Sequence, residues 1–188
     1  DTDRKRFTLL FDPGRIKRGI KSNLDLGLPL QRNKSYRLVI DSLWRDAHGR
    51  ILAQRYEKKM MVEASCRTKL TTDHWKITAP EAGTMNSLRI EFERPLDHAL
   101  ALKYIFIRDS LGEVLEGEAV LVEGDRIWMF TPYKPWSAGR YTMTISPLLE
   151  DAAGNNFNNP FDIDLSVSER INSDEPLTME FVVSKASN

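Results

Sequence analysis

Residues 139–154 read Gly-Arg-Tyr-Thr-Met-Thr-Ile-Ser-Pro-Leu-Leu-Glu-Asp-Ala-Ala-Gly, and their pattern occurs a second time 105 residues earlier in the chain. Tyr141-Thr142-Met143-Thr144-Ile145 matches Tyr36-Arg37-Leu38-Val39-Ile40, and Asp151-Ala152-Ala153-Gly154 matches Asp46-Ala47-His48-Gly49. The copies also share Phe11-Asp12-Pro13 with Phe130-Thr131-Pro132, and an aromatic ring at Tyr56 and Phe161. From the tyrosine to that last ring the spacing is identical, which indicates a duplicated structural unit rather than a catalytic centre.

Apolar and polar side chains alternate along most of the chain, a period typical of half-buried strands. The alternation predicts strands over residues 7–11, 36–40, 88–92, 141–145, 161–165 and 179–183. It also predicts a hairpin of residues 118–122 and 126–130 around a glycine turn. Residues 96–107 are apolar on nearly every face, and we expect a helical turn at 97–100 before a buried strand at 104–107. Several short strands separated by turns predict an all-β sandwich.

The residues before Tyr141 resemble the tyrosine corner of immunoglobulin-like (Ig-like) domains, where a Tyr hydroxyl hydrogen-bonds the backbone a few residues upstream. Together with Phe130-Thr131-Pro132, Gly139 and Asp151-Ala152-Ala153-Gly154-Asn155, they are similar to the C-terminal half of bacterial Ig-like domains. Such domains occur in surface-layer and other exported proteins. The resemblance implies an all-β fold with two immunoglobulin-like β-sandwich units, and an exported location that is periplasmic, cell-surface or extracellular.

The two copies differ in what precedes them. The second has some 55 residues ahead of its Phe-x-Pro motif, whereas the first has only ten. We therefore predict a partial Ig-like sandwich in residues 1–64, a linker in 65–74, and an Ig-like sandwich in 75–184 with a C-terminal strand near 177–183. Three strands with one apolar face leave much of a core uncovered. We predict either that the chain is the C-terminal part of a longer protein, with upstream domains of that polypeptide as partner, or that another protein chain covers this face.

The composition argues against several classes of function. The 27 basic and 27 acidic side chains give a net charge of zero, which does not favour nucleic acid as the main partner. No apolar run approaches the roughly 20 residues of a transmembrane helix, so no transmembrane segment is predicted. Cys66 is the only cysteine, which excludes an intrachain disulfide and a thiolate metal cage. We interpret it as a small buried or linker residue; the alternative is a reactive or interchain thiol.

Metal-binding candidates are few. None of His48, His74 and His98 has a second His or Cys at ligand spacing. The turn that contains His48 is faintly similar to the copper-binding turn of periplasmic copper-resistance sandwiches, which makes His48 a candidate copper ligand. Asp151 and Asn155, with the asparagines at 156, 158 and 159, form a candidate calcium cluster. Turn chemistry is the alternative explanation, and it is the one we favour.

The remaining site candidates are aromatic. Trp44 and Trp136 could stack on sugars if their rings are exposed, whereas buried rings would argue against sugar binding. The sequence has no nucleophile-elbow motif and no Gly-rich phosphate loop, so it predicts no enzyme and no cofactor. We predict a non-catalytic structural, spacer or adhesion module of an exported or cell-surface bacterial protein. The alternative is a carbohydrate- or calcium-binding accessory module of a larger secreted protein.

Overall fold

The structure is a computed structural model, and it describes residues 17, 19–162 and 169–185. The chain divides into two compact units, residues 1–65 and 66–188. The described residues form mainly antiparallel β-sheets with two short helices, so the all-β prediction is confirmed. None of their helices is both long and apolar enough to cross a membrane. The predicted strand at 7–11, the Phe11-Asp12-Pro13 motif, and residues Ile163 and Leu165 of the strand predicted at 161–165 lie outside the described residues.

The described residues of the first unit form one helix and one pair of strands. Helix α1 spans Lys21–Leu26, strand β1 Ser35–Ile40 and strand β2 Tyr56–Met61. The strands pair antiparallel, with Ser35 opposite Met61 and Ile40 opposite Tyr56. Residues of β1 alternate between exposed and half-buried as predicted, but no described residue of this unit is buried.

Within the part of the second unit that the structure describes, the strands form two antiparallel sheets. Four strands form one sheet in the order β3-β4-β7-β6, and three strands form the other in the order β5-β8-β9. Helix α2 leads directly into β5. The elements are β3 Lys76–Thr78, β4 Leu88–Glu91, α2 His98–Tyr104, β5 Ile105–Arg108, β6 Gly117–Val122, β7 Ile127–Pro132, β8 Gly139–Ile145 and β9 Leu177–Val183.

One hydrophobic core receives side chains from both sheets of the second unit. Each strand sends alternate residues into it, because successive side chains point to opposite faces of a sheet. In β8, Tyr141, Met143 and Ile145 are buried while Thr142 and Thr144 are half-buried, as the alternation predicts. Further core residues with no more than 1% exposure are Leu88, Ile90, Leu96, Ala101, Ile107, Trp128, Leu149 and Val183.

Two local predictions about the second unit are confirmed. Strands β6 and β7 form the predicted hairpin, with positive φ angles of 51°, 68° and 64° at Glu123, Gly124 and Asp125. The helical turn predicted at 97–100 is the start of α2, where the Asp97 side chain accepts a hydrogen bond of 2.9 Å from the Leu100 backbone N–H. This cap satisfies one of the free N–H groups that begin any helix.

Two segments differ from what the sequence predicts. Most of the predicted linker, residues 66–74, belongs to the second unit, and Leu70 in it is a core residue with 4% exposure. The segment lacks alternation because it packs through one anchoring side chain and through polar contacts rather than as a strand. Phe161 and Asp162 lie in a turn instead of opening a strand, and Asp162 has a φ of 56°, outside the range of a strand.

Candidate functional site

Among the described residues, three loops are built on the same Asp-x-x-Gly turn, starting at Asp46, Asp109 and Asp151. In each loop the Asp Oδ1 accepts hydrogen bonds of 2.8–3.0 Å from the backbone N–H groups two and four residues further on. The Gly backbone N–H donates to the carbonyl of the same Asp. The turns predicted at Asp46 and Asp151 are therefore present. Residues Asp109–Gly112, which the sequence also marks as turn residues, form the third.

The first of these turns contains the candidate copper ligand His48, which is exposed. Its neighbour Asp46 is engaged by Arg50, whose Nη2 lies 2.8 Å from Asp46 Oδ2. Hydrogen bonding from the Arg50 backbone N–H, ahead of that from the guanidinium, lowers the pKa of the Asp46 carboxyl below its ordinary value. The structure brings no metal cluster to His48: the described residues contain no group of three His, Cys, Asp or Glu placed to bind a metal ion.

Asp151 and Asn155, the candidate calcium ligands, are buried at 3% and 0% exposure. Asn155 Nδ2 donates to Asp151 Oδ2 at 2.8 Å and to the Cys66 carbonyl at 3.1 Å, while Asn155 Oδ1 accepts from the Phe161 N–H at 2.8 Å. Arg94 Nε lies 3.0 Å from Asp151 Oδ2. Its N–H lacks the alignment of a hydrogen bond, so this contact is an ion pair.

Arg94 also holds the beginning of the second unit in place. Its Nη1 donates to Thr68 Oγ1 at 2.7 Å and to Cys66 Sγ at 2.8 Å, and its Nη2 donates to the Lys69 carbonyl at 2.6 Å. One guanidinium thus joins residues 66–69 to the Asp151 turn. Because both Asp151 oxygens already face donors, the cluster stabilises the fold and does not offer the open oxygen ligands that calcium requires.

The tyrosine corner predicted at Tyr141 is present. The Tyr141 hydroxyl donates to the Ser137 carbonyl at 3.1 Å and accepts from the Ser137 backbone N–H at 3.2 Å. In the first unit, the Tyr36 hydroxyl accepts a hydrogen bond of 2.9 Å from the Gln31 N–H, five residues upstream. Both hydroxyls therefore tie a strand to the loop that precedes it.

Trp136 packs beside this corner and is only 2% exposed. Its ring meets Tyr141 edge-on at 5.2 Å and lies 6.2 Å from Phe181, and its Nε1 donates to the Asn86 carbonyl at 2.9 Å. A ring enclosed in this way cannot stack on a sugar. Trp44 of the first unit is different: it is 52% exposed and borders an apolar cavity of about 150 Å³.

A groove of about 500 Å³ opens beside the tyrosine corner, and we call it the corner groove. It lies between the β5–β6 connection and the loop after β7, and Trp136 and Tyr141 contribute to its wall. Its lining contains three carboxylates against the single ammonium group of Lys134. The lining residues are 109, 113–116, 132–137 and 141. Sequence reasoning missed this groove, because its two loops come together only in the folded unit.

The other two histidines lie beside carboxylates. His98 Nδ1 is 2.7 Å from Asp125 Oδ1. His74 borders a shallow cleft of about 310 Å³ with Glu91, Glu93 and other charged residues, and none of the described residues lining it is Ser, Thr or Cys. Burial, ahead of the nearby Asp97 and Asp151 charges, raises the pKa of the Glu150 carboxyl above its ordinary value.

No model of a known protein family matches the sequence, and a search of curated proteins finds no significant match.

Proposed function

We propose that the chain is a non-catalytic structural, spacer or adhesion module of an exported or cell-surface bacterial protein, built from two Ig-like β-sandwich units, the first incomplete. The observation that carries the proposal is the strand order of the second unit. Orders β3-β4-β7-β6 and β5-β8-β9 correspond one by one to the ABED and CFG sheets of a constant-type immunoglobulin domain. The hydroxyl bonds of Tyr141, at the start of the strand that corresponds to F, also support the assignment.

The contacts made by the candidate metal-binding residues support a structural role. In the second unit Asp151 and Asn155 hydrogen-bond each other and the backbone, while Arg94 forms an ion pair with Asp151 and donates hydrogen bonds to residues 66–69. In the first unit Asp46 binds the backbone of its own turn and the side chain of Arg50. Side chains arranged to fix loops suit a module that presents or separates other parts of a protein. Its partners in this proposal are upstream domains of the same polypeptide or another protein chain.

The location is testable in cells that produce the protein. We expect the chain in the envelope or culture-fluid fraction. Added protease should degrade a surface-exposed chain on intact cells, and a periplasmic chain only after the outer membrane is opened. An antibody against the chain would follow it, with a cytoplasmic enzyme as the control that must survive the protease. Recovery of the intact chain with that enzyme would exclude an exported module.

A carbohydrate-binding module is the second candidate function, and exposed Trp44 is the observation that favours it. A glycan array probed with the intact chain tests this alternative. The control variant is Leu43→Ala, because Leu43 is a neighbouring side chain with 73% exposure. Loss of glycan binding in Trp44→Ala, with binding retained in Leu43→Ala, would support the alternative. Equal binding by both variants would exclude Trp44 as the sugar platform.

A further inference from the structure

The zero net charge of the chain is the sum of two opposite charges. Residues 1–65 contain fifteen Lys and Arg against eight Asp and Glu, a net charge of +7. Residues 66–188 contain twelve against nineteen, a net charge of −7. Each unit therefore has a strong field of one sign, and such fields speed the association of oppositely charged surfaces.

The positive charge of the first unit includes cations without acidic neighbours. Arg37 of β1 lies directly opposite Lys59 of β2, which places two like charges on one face of the strand pair. Glu57 offsets Arg37 at 3.5 Å and Arg55 at 2.7 Å. Lys58 and Lys59 are exposed, and within the described residues no carboxylate lies within ion-pair distance of either. We call Arg37, Lys58 and Lys59 the basic hairpin; Arg37 and Lys59 lie on one face of the strand pair, and Lys58, opposite Leu38, lies on the other.

The corner groove is the matching surface on the second unit. Glu113 and Glu116 are exposed on its β5–β6 side, and Glu118 extends the acidic surface onto β6. Tyr133, at 65% exposure, and Val114, at 46%, add apolar surface between these charges. Long lysine side chains bury their hydrocarbon stems on such surface while the ammonium group reaches a carboxylate.

We propose that the basic hairpin of one molecule docks into the corner groove of a second copy of the chain. The charges favour a second copy over a nucleic acid or another polyanion. A polyanion drawn to the first unit is repelled by the second, whereas a second copy presents equal charges of both signs and no net repulsion. Because the two docking surfaces differ, each added copy leaves one of each kind unoccupied, and the molecules join head to tail.

Sedimentation velocity of the whole chain at about 10 mM and about 1 M NaCl tests the proposal, since the Debye length falls from roughly 30 Å to roughly 3 Å between them. We expect species larger than the monomer to grow with protein concentration at low salt and to disappear at high salt. A monomer at every concentration at low salt would overturn the proposal.

Two charge-reversal variants locate the surfaces. Lys58→Glu/Lys59→Glu and Glu113→Lys/Glu116→Lys should each weaken self-association by at least about tenfold, because attraction becomes repulsion in the docked complex. A mixture of the two variants should associate again, since each restores the complement of the other. Lys69→Glu/Lys103→Glu changes two exposed lysines of the second unit and matches the first variant in net charge. It should associate like the unaltered chain.

Circular dichroism of each variant checks that the fold is retained. Association in the mixture would show that each variant alone fails to associate because its charge no longer matches its partner, and not because it is unfolded. Self-association that survives both reversals, or a mixture that stays monomeric, would overturn the proposed contact. A 20-base-pair DNA duplex serves as the polyanion probe. The chain could bind this duplex more tightly than it binds itself, and Lys58→Glu/Lys59→Glu could abolish that binding. This result would overturn the proposal and identify the basic hairpin as a binding surface for polyanions.

Discussion

At the scale of single residues, Arg94 joins two separate parts of the second unit. Its guanidinium pairs with Asp151, whose side chain is 2% exposed, and anchors residues 66–69. Arg94→Met would leave a buried carboxylate without its cation. Removing one partner of a buried pair costs about 3–5 kcal/mol, so we expect a loss near the low end of that range, since Arg94 is 19% exposed. Urea unfolding measures the change.

The matched control is the ion pair between Arg140 and Glu180. It has a short N–O distance of 2.6 Å, but its side chains are 67% and 59% exposed. Exposed pairs contribute about 0–1 kcal/mol, so Arg140→Met should leave the unfolding midpoint nearly unchanged. Equal destabilisation by the two substitutions would show that burial does not decide the strength of the Arg94 pair.

Tyr141 tests the tyrosine corner. Tyr141→Phe keeps the packed ring but removes the hydroxyl, leaving the Ser137 carbonyl and N–H without this partner. We expect a loss of about 1–2 kcal/mol in the free energy of unfolding, again measured in urea. Tyr133→Phe is the control, because that ring is 65% exposed. A loss below the experimental error for Tyr141→Phe would mean that the corner contributes no stability.

Glu150 predicts a dependence of stability on pH. Its pKa is raised in the folded state, chiefly by burial, so the folded protein binds the proton more tightly than the unfolded chain does. The contribution of Glu150 to the free energy of unfolding is therefore fully present below the pKa that this carboxyl has in the unfolded chain. It is lost as the pH rises through the pKa of the carboxyl in the folded protein. Glu150→Gln should therefore raise the melting temperature at pH 7 but not at about pH 3.5, below the ordinary glutamate pKa. A larger gain at the acidic pH would contradict this sign.

At the scale of elements, the Asp-x-x-Gly turns differ in how closely they are packed. Gly112 and Gly154 have nearly equal φ angles of 85° and 82°, a region that costs an L-residue about 1–2 kcal/mol. A Cβ at position 112 meets nothing within 4 Å, whereas one at 154 would lie 2.9 Å from the Phe161 ring. Gly154→Ala should thus destabilise the protein more than Gly112→Ala. Equal melting temperatures for the two variants would contradict a packing role for Gly154.

The elements of the second unit follow closely from local sequence. Alternation predicts β4, β8 and β9 because one side of each strand enters the core, and a helix cap marks the start of α2. The segment 66–74 shows the limit of this reasoning. Its position depends on Arg94, some 25 residues further along the chain. The alternation of apolar and polar residues within the segment cannot indicate a contact with so distant a residue.

The candidate sites show the same limit. The interpretation of Asp151 and Asn155 as turn residues could be made from the sequence, because an Asp side chain binds the backbone of its own loop. The burial of Trp136 depends on rings from three strands, and the corner groove depends on two loops that meet at one end of the second unit. Such long-range packing could not be derived from spacing alone.

At the scale of the whole molecule, the two units differ in how much core the described residues provide. The second unit buries side chains from two sheets, several at 0% exposure, whereas none of the described residues of the first unit is buried. Local opening costs least free energy where few apolar contacts hold the backbone. Amides of β1 and β2 should therefore exchange with deuterium faster than those of β4, β7 and β8, measured by mass spectrometry on peptides of the intact chain. The comparison should be made at about 1 M salt, where charge-driven contacts between copies are screened and cannot protect the basic hairpin. Protection of β1 and β2 equal to that of β8 would mean that the strand pair gains its stability from contacts outside the described residues of its own unit.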